Sequence, residues 1–414
     1  MKKVLVPVLI IILIVGITGI YILNKNGLFF INMNQKNGNI IPGSNIASNT
    51  TSNNDSDDTL QDTNRDITTG EEIKEAPSKR ISITASGDIL LGRGVEYYLK
   101  SAGLSYTYPF EEISEILKRG DIIFGNLEEP FTSSVHGLIN IDKGGKYVLK
   151  NEVEAFEGIK YAGFNLLNLA NNHILDFYAE GLQETISLLE SEGIVYAGAG
   201  MNIDEARKPG IIEKNNVKVG MLAYTDMSEV VYIGEPNLYF KAEENKPGVA
   251  PRYEDYNIIK EDIDKIRDQV DLLIISLHWG IEESFIVTNE QKQYAYNLLD
   301  AGADIILGHH PHQFQGIEIY KGKPIVYSLG NLIFDQNDPE NQEAFILYME
   351  YEDGKLVKFT GTPVRTINKT QVVPQKGDSA LNILQRQIDL CAELGTHCYI
   401  EDDQLVFSLD YSLT

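Results

Sequence analysis

The spacing of apolar and polar positions divides the chain into three stretches. Residues 4–23, VLVPVLIIILIVGITGIYIL, carry no charge and follow Met1-Lys2-Lys3. As a helix such a run rises about 30 Å, the thickness of a bilayer core. No small-residue cleavage site follows and the run holds no cysteine for lipidation, so the pattern predicts an uncleaved transmembrane signal anchor. Lys2 and Lys3 against Lys25 favour a cytoplasmic N-terminus, with the bulk of the chain outside the cell membrane. Residues 24–78 turn to Asn, Ser, Thr, Asp and Gly, too little of it apolar to offset the entropy of ordering a backbone. This stretch is expected to be a flexible stalk.

From residue 79 onward short apolar runs alternate with segments of helical period. Strands are predicted at 81–85, 121–125, 166–169, 194–197, 217–225 and 271–276, with helices at 110–118, 153–161, 182–191, 258–270 and 290–299. Past residue 316 the pattern changes to hairpins, one around Lys321-Gly322-Lys323 and one around Asp353-Gly354. A helix over 379–394 and a strand over 404–409 follow. Early alternation and late hairpins predict an α/β sandwich with its loops gathered at one edge. The main domain is placed at 79–370, and 371–414 is read as a helix-and-strand appendage.

Polar residues with ligand chemistry stand where these strands end. Asp88 follows the strand ISITA, and Arg93 comes next, suited to a substrate anion or to a structural carboxylate. The second strand ends in Asn126-Leu127-Glu128-Glu129, where alternation puts Asn126 and Glu128 on one face and makes Glu129 a solvated or structural charge. The third ends in Asn171-Asn172-His173, with Asp176 close behind. His278 closes the strand DLLIIS. Three of the seven histidines then crowd into Gly308-His309-His310-Pro311-His312. Pro311 stiffens the turn so that His310 and His312 converge, whereas His309 is expected to face away. Carboxylates, an amide oxygen and imidazoles in this mixture suit Mn²⁺, Fe or Zn²⁺ better than Ca²⁺ or a thiolate zinc site. His136 and His397 read as ordinary surface residues.

Charge and cysteine content narrow the picture. A formal charge of −25 argues against a nucleic-acid partner. The two cysteines, Cys391 and Cys398, fit either a disulfide or two buried thiols.

The order Asp, Glu, Asn-His, His, His-x-His resembles the calcineurin-like metallophosphoesterase superfamily. Within it, Gly87-Asp88-Ile89-Leu90-Leu91-Gly92, Asn126-Leu127-Glu128, Asn171-Asn172-His173-Ile174-Leu175-Asp176, His278-Trp279-Gly280, Gly308-His309-His310-Pro311-His312 and Ser328-Leu329-Gly330-Asn331 resemble the capsule-synthesis CapA family, associated with poly-γ-glutamate production. The resemblance implies a two-sheet sandwich flanked by helices and one or two divalent ions. Glu128 would bridge them, Asp88 and His312 would hold one, and Asn172, His278 and His310 the other. His173 would give a proton to a leaving oxygen, oriented by Asp176, with Arg93 and Asn331 as substrate contacts. One departure stands out: many phosphoesterases carry Asp-x-His at the first motif, and here the third position is Leu90.

Two readings follow from the resemblance. One is a membrane-anchored metal-dependent phosphoesterase-like component of capsule synthesis. The other is a non-catalytic subunit that binds the anionic polymer or synthase partners on the same fold. Contact with a polyanion would need a local cationic groove, for which Arg93, Lys143, Lys146 and Arg252 are candidates.

Overall fold

The computed structural model describes residues 78–138, 148–229, 239–253 and 255–409, together with the backbone of three short strands nearer the N-terminus. Those strands, Ile12–Gly16, Gly19–Asn24 and Gly27–Asn32, pair antiparallel in a sheet of their own. They occupy much of the stretch where hydropathy predicts a transmembrane helix. No helix among the described residues is long and apolar enough to cross a membrane. The departure has a physical basis, because hydropathy measures apolarity and length but not backbone geometry. Isoleucine and valine dominate the run, and their branched side chains suit a strand. Residues 1–11 of the expected anchor and 33–77 of the expected stalk lie outside the described residues.

From residue 78 the chain builds two large sheets and a two-stranded ladder of Ala199–Gly200 with Gly248–Val249. In the larger, parallel strands β1 (Arg80–Ile89), β2 (Ile122–Leu127), β3 (Leu166–Asn168) and β4 (Val195–Ala197) run side by side. The smaller is six-stranded. There β5 (Gly210–Lys214) and β6 (Val217–Thr225) form a hairpin, and β6, β7 (Leu272–His278) and β8 (Ile305–His309) run parallel. The hairpin β9 (Ile317–Tyr320) and β10 (Lys323–Val326) completes this sheet. The chain then returns to the larger sheet. β11 (Asn331–Ile333) lies parallel to β1, and β12 (Glu343–Glu352) and β13 (Lys355–Ile367) extend the sheet antiparallel. Residues 371–407 continue it with Gln371–Pro374 on β13 and the hairpin Cys398–Glu401 and Gln404–Phe407.

Strand alternation sorts the apolar side chains into three cores. Ile83, Phe124 and Leu166 of the larger sheet meet Val219, Ile274, Ile305 and Leu307 of the smaller one, so the sheets pack face to face. The outer face of the larger sheet, with Ile123 and Leu167, is covered by Val95 and Leu99 of helix Arg93–Ala102 and Leu182, Ile186 and Leu189 of helix Tyr178–Ser191. Leu273, Ile275 and Ile306 face the opposite way and pack under Ile259, Ile263 and Leu298 from helices Asn257–Ile266 and Asn289–Asp300. The result is a mixed α/β sandwich of two sheets between helices. Helix Asp378–Glu393 adds Ile383, Leu384 and Cys391 to the core between the sheets.

Because β1, β2, β3, β6, β7 and β8 all run parallel within their sheets, the loops after them can gather at one edge. Two glycines allow the close approach this requires. A side chain at Gly87 would meet the Gly330 carbonyl oxygen at 1.8 Å, and one at Gly308 would meet the Tyr327 carbonyl oxygen at 1.9 Å. Each glycine adjoins a residue with ligand chemistry, Asp88 or His309.

Candidate metal centre

The residues delivered to this edge are buried and point at one another. Asp88 is fully buried at the end of β1, and its backbone N–H donates to the Gly330 carbonyl at 3.0 Å. Its Oδ1 accepts from Asn126 Nδ2 at 2.9 Å and lies 3.0 Å from His309 Nδ1. Its Oδ2 has no hydrogen-bond partner, with His312 Nδ1 at 3.6 Å. Glu128, beyond the end of β2, repeats the arrangement: Oε2 accepts from the same Asn126 amide, while buried Oε1 is left without a partner. His278 Nε2 lies 3.7 Å from that Oε1, 2.8 Å from Asn172 Oδ1 and 3.1 Å from His310 Nδ1. One donor atom from each of Asp88, Glu128 and His278 falls within 4.8 Å of the others.

Charge sharpens this geometry. Burial pushes the Glu128 carboxyl well above the usual range, and the Asp88 carboxylate beside it pushes it further. Burial works against ionised Asp88 too, but the hydrogen bond from His309 and the His312 ring close by outweigh it and hold that carboxyl below its ordinary value. Burial, then the neighbouring His310, drives His278 well down, and burial drives His310 down to about 4. Neutral imidazole lone pairs, an amide oxygen and two unpartnered carboxylate oxygens therefore converge. A proton can satisfy only one such acceptor at a time, whereas a divalent cation can satisfy several. The donor set fits a metal ion.

The backbone is strained at the same place. His310 and His312 have φ of 97° and 59°. Such conformations cost about 1–3 kcal/mol in a non-glycine residue. Glycine would relax either position, so the strain accompanies the imidazoles that the turn presents.

His173 stands on the loop after β3. Its Nδ1 lies 2.8 Å from Asp176 Oδ2, which also accepts from Leu149 N at 2.7 Å. Asn171 shapes the turn, its Oδ1 accepting from the backbone N–H of His173 and Ile174 at 3.0 and 2.9 Å. Asp176 is thus bound to the backbone and positioned to orient the ring.

The structure gives three of these residues definite partners. His309 does not face away, because it is fully buried and hydrogen-bonded to Asp88. Arg93 meets a structural carboxylate: its guanidinium pairs with Asp335 through Nε at 2.7 Å and lies 5.6 Å from the Phe334 ring centre. Asn331 is turned toward His312, with Oδ1 2.9 Å from His312 Nδ1 and Nδ2 donating to the Asn341 carbonyl at 2.9 Å. Glu129 is structural and buried, accepting from the Leu91 and Gly92 backbone at 2.9 and 2.8 Å; burial still pushes its carboxyl up to about 8. Leu90 lies wholly within the apolar core. Of the other cations named for a polymer groove, Arg252 pairs with Glu290 at 2.9 Å, and Lys143 and Lys146 lie outside the described residues. Cys391 and Cys398 are free thiols.

Residues 82–336 match the family model described as "Bacterial capsule synthesis protein PGA_cap". The chain belongs to this family. The matched span contains every residue of the candidate centre, from Asp88 to Asn331. Among curated proteins of similar sequence, the PGA biosynthesis protein CapA of Bacillus subtilis (strain 168) is 30% identical over 345 residues, covering 82% of this chain and 86% of its own. The capsule biosynthesis protein CapA of Bacillus anthracis is 31% identical over 346 residues, covering 82% and 80%. A probable polyglutamine synthesis accessory protein of Mycobacterium tuberculosis is 27% identical over 339 residues, covering 69% and 84%. A solved 5'-nucleotidase from Candida albicans aligns over 70% of this chain and 52% of its own at 12% identity and a TM-score of 0.37, too loose an overlap to carry an argument.

Proposed function

We propose that this member of the PGA_cap family is a metal-dependent phosphoester hydrolase of capsule or poly-γ-glutamate synthesis. Asp88, Glu128, Asn172, His278, His310 and His312 would hold one or two divalent ions, with Mn²⁺, Fe or Zn²⁺ suited to the donor set. The observation that carries the reading is the meeting of unpartnered, buried Asp88 and Glu128 oxygens with His278 within one ion's reach. A divalent ion bound there supplies Lewis-acid stabilisation of charge on a phosphoryl oxygen. Asp176 holds His173 through Nδ1, which leaves Nε2 as the nitrogen that keeps and passes a proton to a leaving oxygen. Asn126 restrains both carboxylates through one amide group, and Asn331 restrains His312.

The test is metal analysis of the chain from Lys74 onward, which forms one compact unit. It is to be run beside a Glu128→Ala/His310→Ala double variant. About two equivalents of transition metal, lost in the variant, would support a binuclear hydrolytic centre. One equivalent in the wild type would favour a single structural ion. None, even after reconstitution with Mn²⁺, Fe²⁺ or Zn²⁺, would sink the hydrolase reading.

A second reading, a non-catalytic subunit that holds synthase partners or the polymer, has its own support. Leu90 offers only a buried hydrocarbon where the resembling phosphoesterases place a ligand imidazole. A bound ion with no turnover on any phosphoester would select this reading.

In either case residues 4–23 are proposed to attach the chain to the cell membrane, with the bulk outside, since the run is uncharged and follows two lysines. The full chain is then expected in the membrane fraction after an alkaline carbonate wash, and the chain from Lys74 in the supernatant. Release of both by carbonate would remove the anchor from the proposal.

A further inference from the structure

We propose that His309 is the positioning residue for Asp88, holding one carboxylate oxygen so that the other is presented to the ion. The inference rests on the metal reading above and concerns a residue outside the six ligands named there.

The argument begins with strand alternation. Ile305 and Leu307 of β8 point into the core between the sheets and Ile306 points away, so His309 continues the inner row. Its carbonyl accepts from the Trp279 N–H at 3.0 Å, which ties the end of β8 to the turn after β7. The ring packs beside Phe124, with centroids 5.5 Å apart, and brings Nδ1 to 3.0 Å from Asp88 Oδ1.

Hydrogen-bond accounting then assigns the tautomer. His309 Nε2 is buried with no partner among the described residues. A proton on Nε2 would be a buried donor without an acceptor, while the bare Nδ1 lone pair faced a carboxylate oxygen. With the proton on Nδ1 the ring donates to Asp88, and the one group left unpaired is the Nε2 lone pair. The Nδ1–H form therefore holds.

Two donors now converge on one oxygen. Asp88 Oδ1 receives Asn126 Nδ2 at 2.9 Å and His309 Nδ1 at 3.0 Å, and Oδ2 receives none. Together they stop the carboxylate from rotating about its Cβ–Cγ bond. Asn126 divides its amide, one N–H going to Asp88 and the other to Glu128. His309 is the donor committed to Asp88, and it acts on the ion through Asp88.

The test compares His309→Asn with His309→Gln in the full chain. The asparagine amide nitrogen overlays Nδ1 and keeps the donor to Asp88. The longer glutamine places its amide near Nε2 and withdraws it. Both bury a neutral amide, so a purely structural role would affect them alike. Manganese titration calorimetry is expected to show His309→Gln weakened about 10–100-fold and His309→Asn close to wild type. Thermal unfolding in excess chelator checks the fold. Wild-type affinity in a folded His309→Gln chain, or equal weakening in both variants, overturns the proposal. Loss of the thermal transition in both assigns His309 to the core instead. A wild-type chain that takes up neither Mn²⁺ nor Zn²⁺ overturns the metal reading, and this inference with it.

Discussion

Glu128→Gln is expected to abolish binding of divalent ions and to raise the unfolding temperature of the ion-free chain. Glu128 is fully buried, one of its oxygens is unpartnered, and Asp88 stands beside it. Without an ion, its negative charge meets both desolvation and a like charge. A glutamine can still accept from Asn126 through its oxygen and can turn its amide hydrogens toward the bare Asp88 Oδ2. The cost of the charge disappears, and an orphaned acceptor gains a donor.

The pH dependence follows from the direction of the shift. Burial and Asp88 raise the Glu128 carboxyl above its unfolded value of 4.5. The folded state therefore holds the proton more tightly, and wild-type stability is full below that value and lost as pH rises toward the folded pKa. The advantage of Glu128→Gln should be negligible near pH 4 and clear at pH 8, at about 2–4 °C for each kcal/mol recovered. Differential scanning calorimetry in chelator measures it. A variant no more stable than wild type at pH 8 would mean that the ion-free pocket carries no such strain. Excess Mn²⁺ should reverse the order, because only the wild type gains from ion binding.

The second large effect concerns His173. His173→Asn is expected to lower turnover of alkyl phosphoesters by about 10²–10⁴-fold while leaving ion stoichiometry unchanged. The asparagine amide can donate to Asp176 as Nδ1 does, so the turn shaped by Asn171 should persist. What disappears is the nitrogen that carries a proton to the leaving oxygen. A nitrophenyl ester, whose leaving group needs no proton, should lose far less. Equal losses on both esters would remove proton donation from the role of His173. A fall in bound metal would instead make it part of the ion site.

Much of the candidate site's layout was legible from residue type and strand phase. Alternation along DIIFGNLEE separated Glu128 from Glu129, and the structure turns them apart, one toward Asn126 and His278, the other onto the backbone of Leu91 and Gly92. His309 was misread because a turn of consecutive histidines does not reveal which ring continues the inner row of the strand. Strand phase from Ile305 and Leu307 was the available signal. The N-terminal run shows the opposite weakness, since length and apolarity are common to a membrane helix and to paired strands of isoleucine and valine.

The sequence by itself determined the order in which residues with ligand chemistry reach the strand ends and the alternation that sorts apolar residues into layers. These are local properties, set within a few residues by backbone period and side-chain type. Only the tertiary structure decided which oxygen of Asp88 is held and which is bare, that Arg93 serves Asp335, and that Asn331 serves His312. His309 and Asp88 are 221 positions apart, and Arg93 and Asp335 are 242. No local pattern joins them: stacking of the two sheets brings His309 to Asp88, and the pairing of β11 beside β1 brings Asp335 to Arg93.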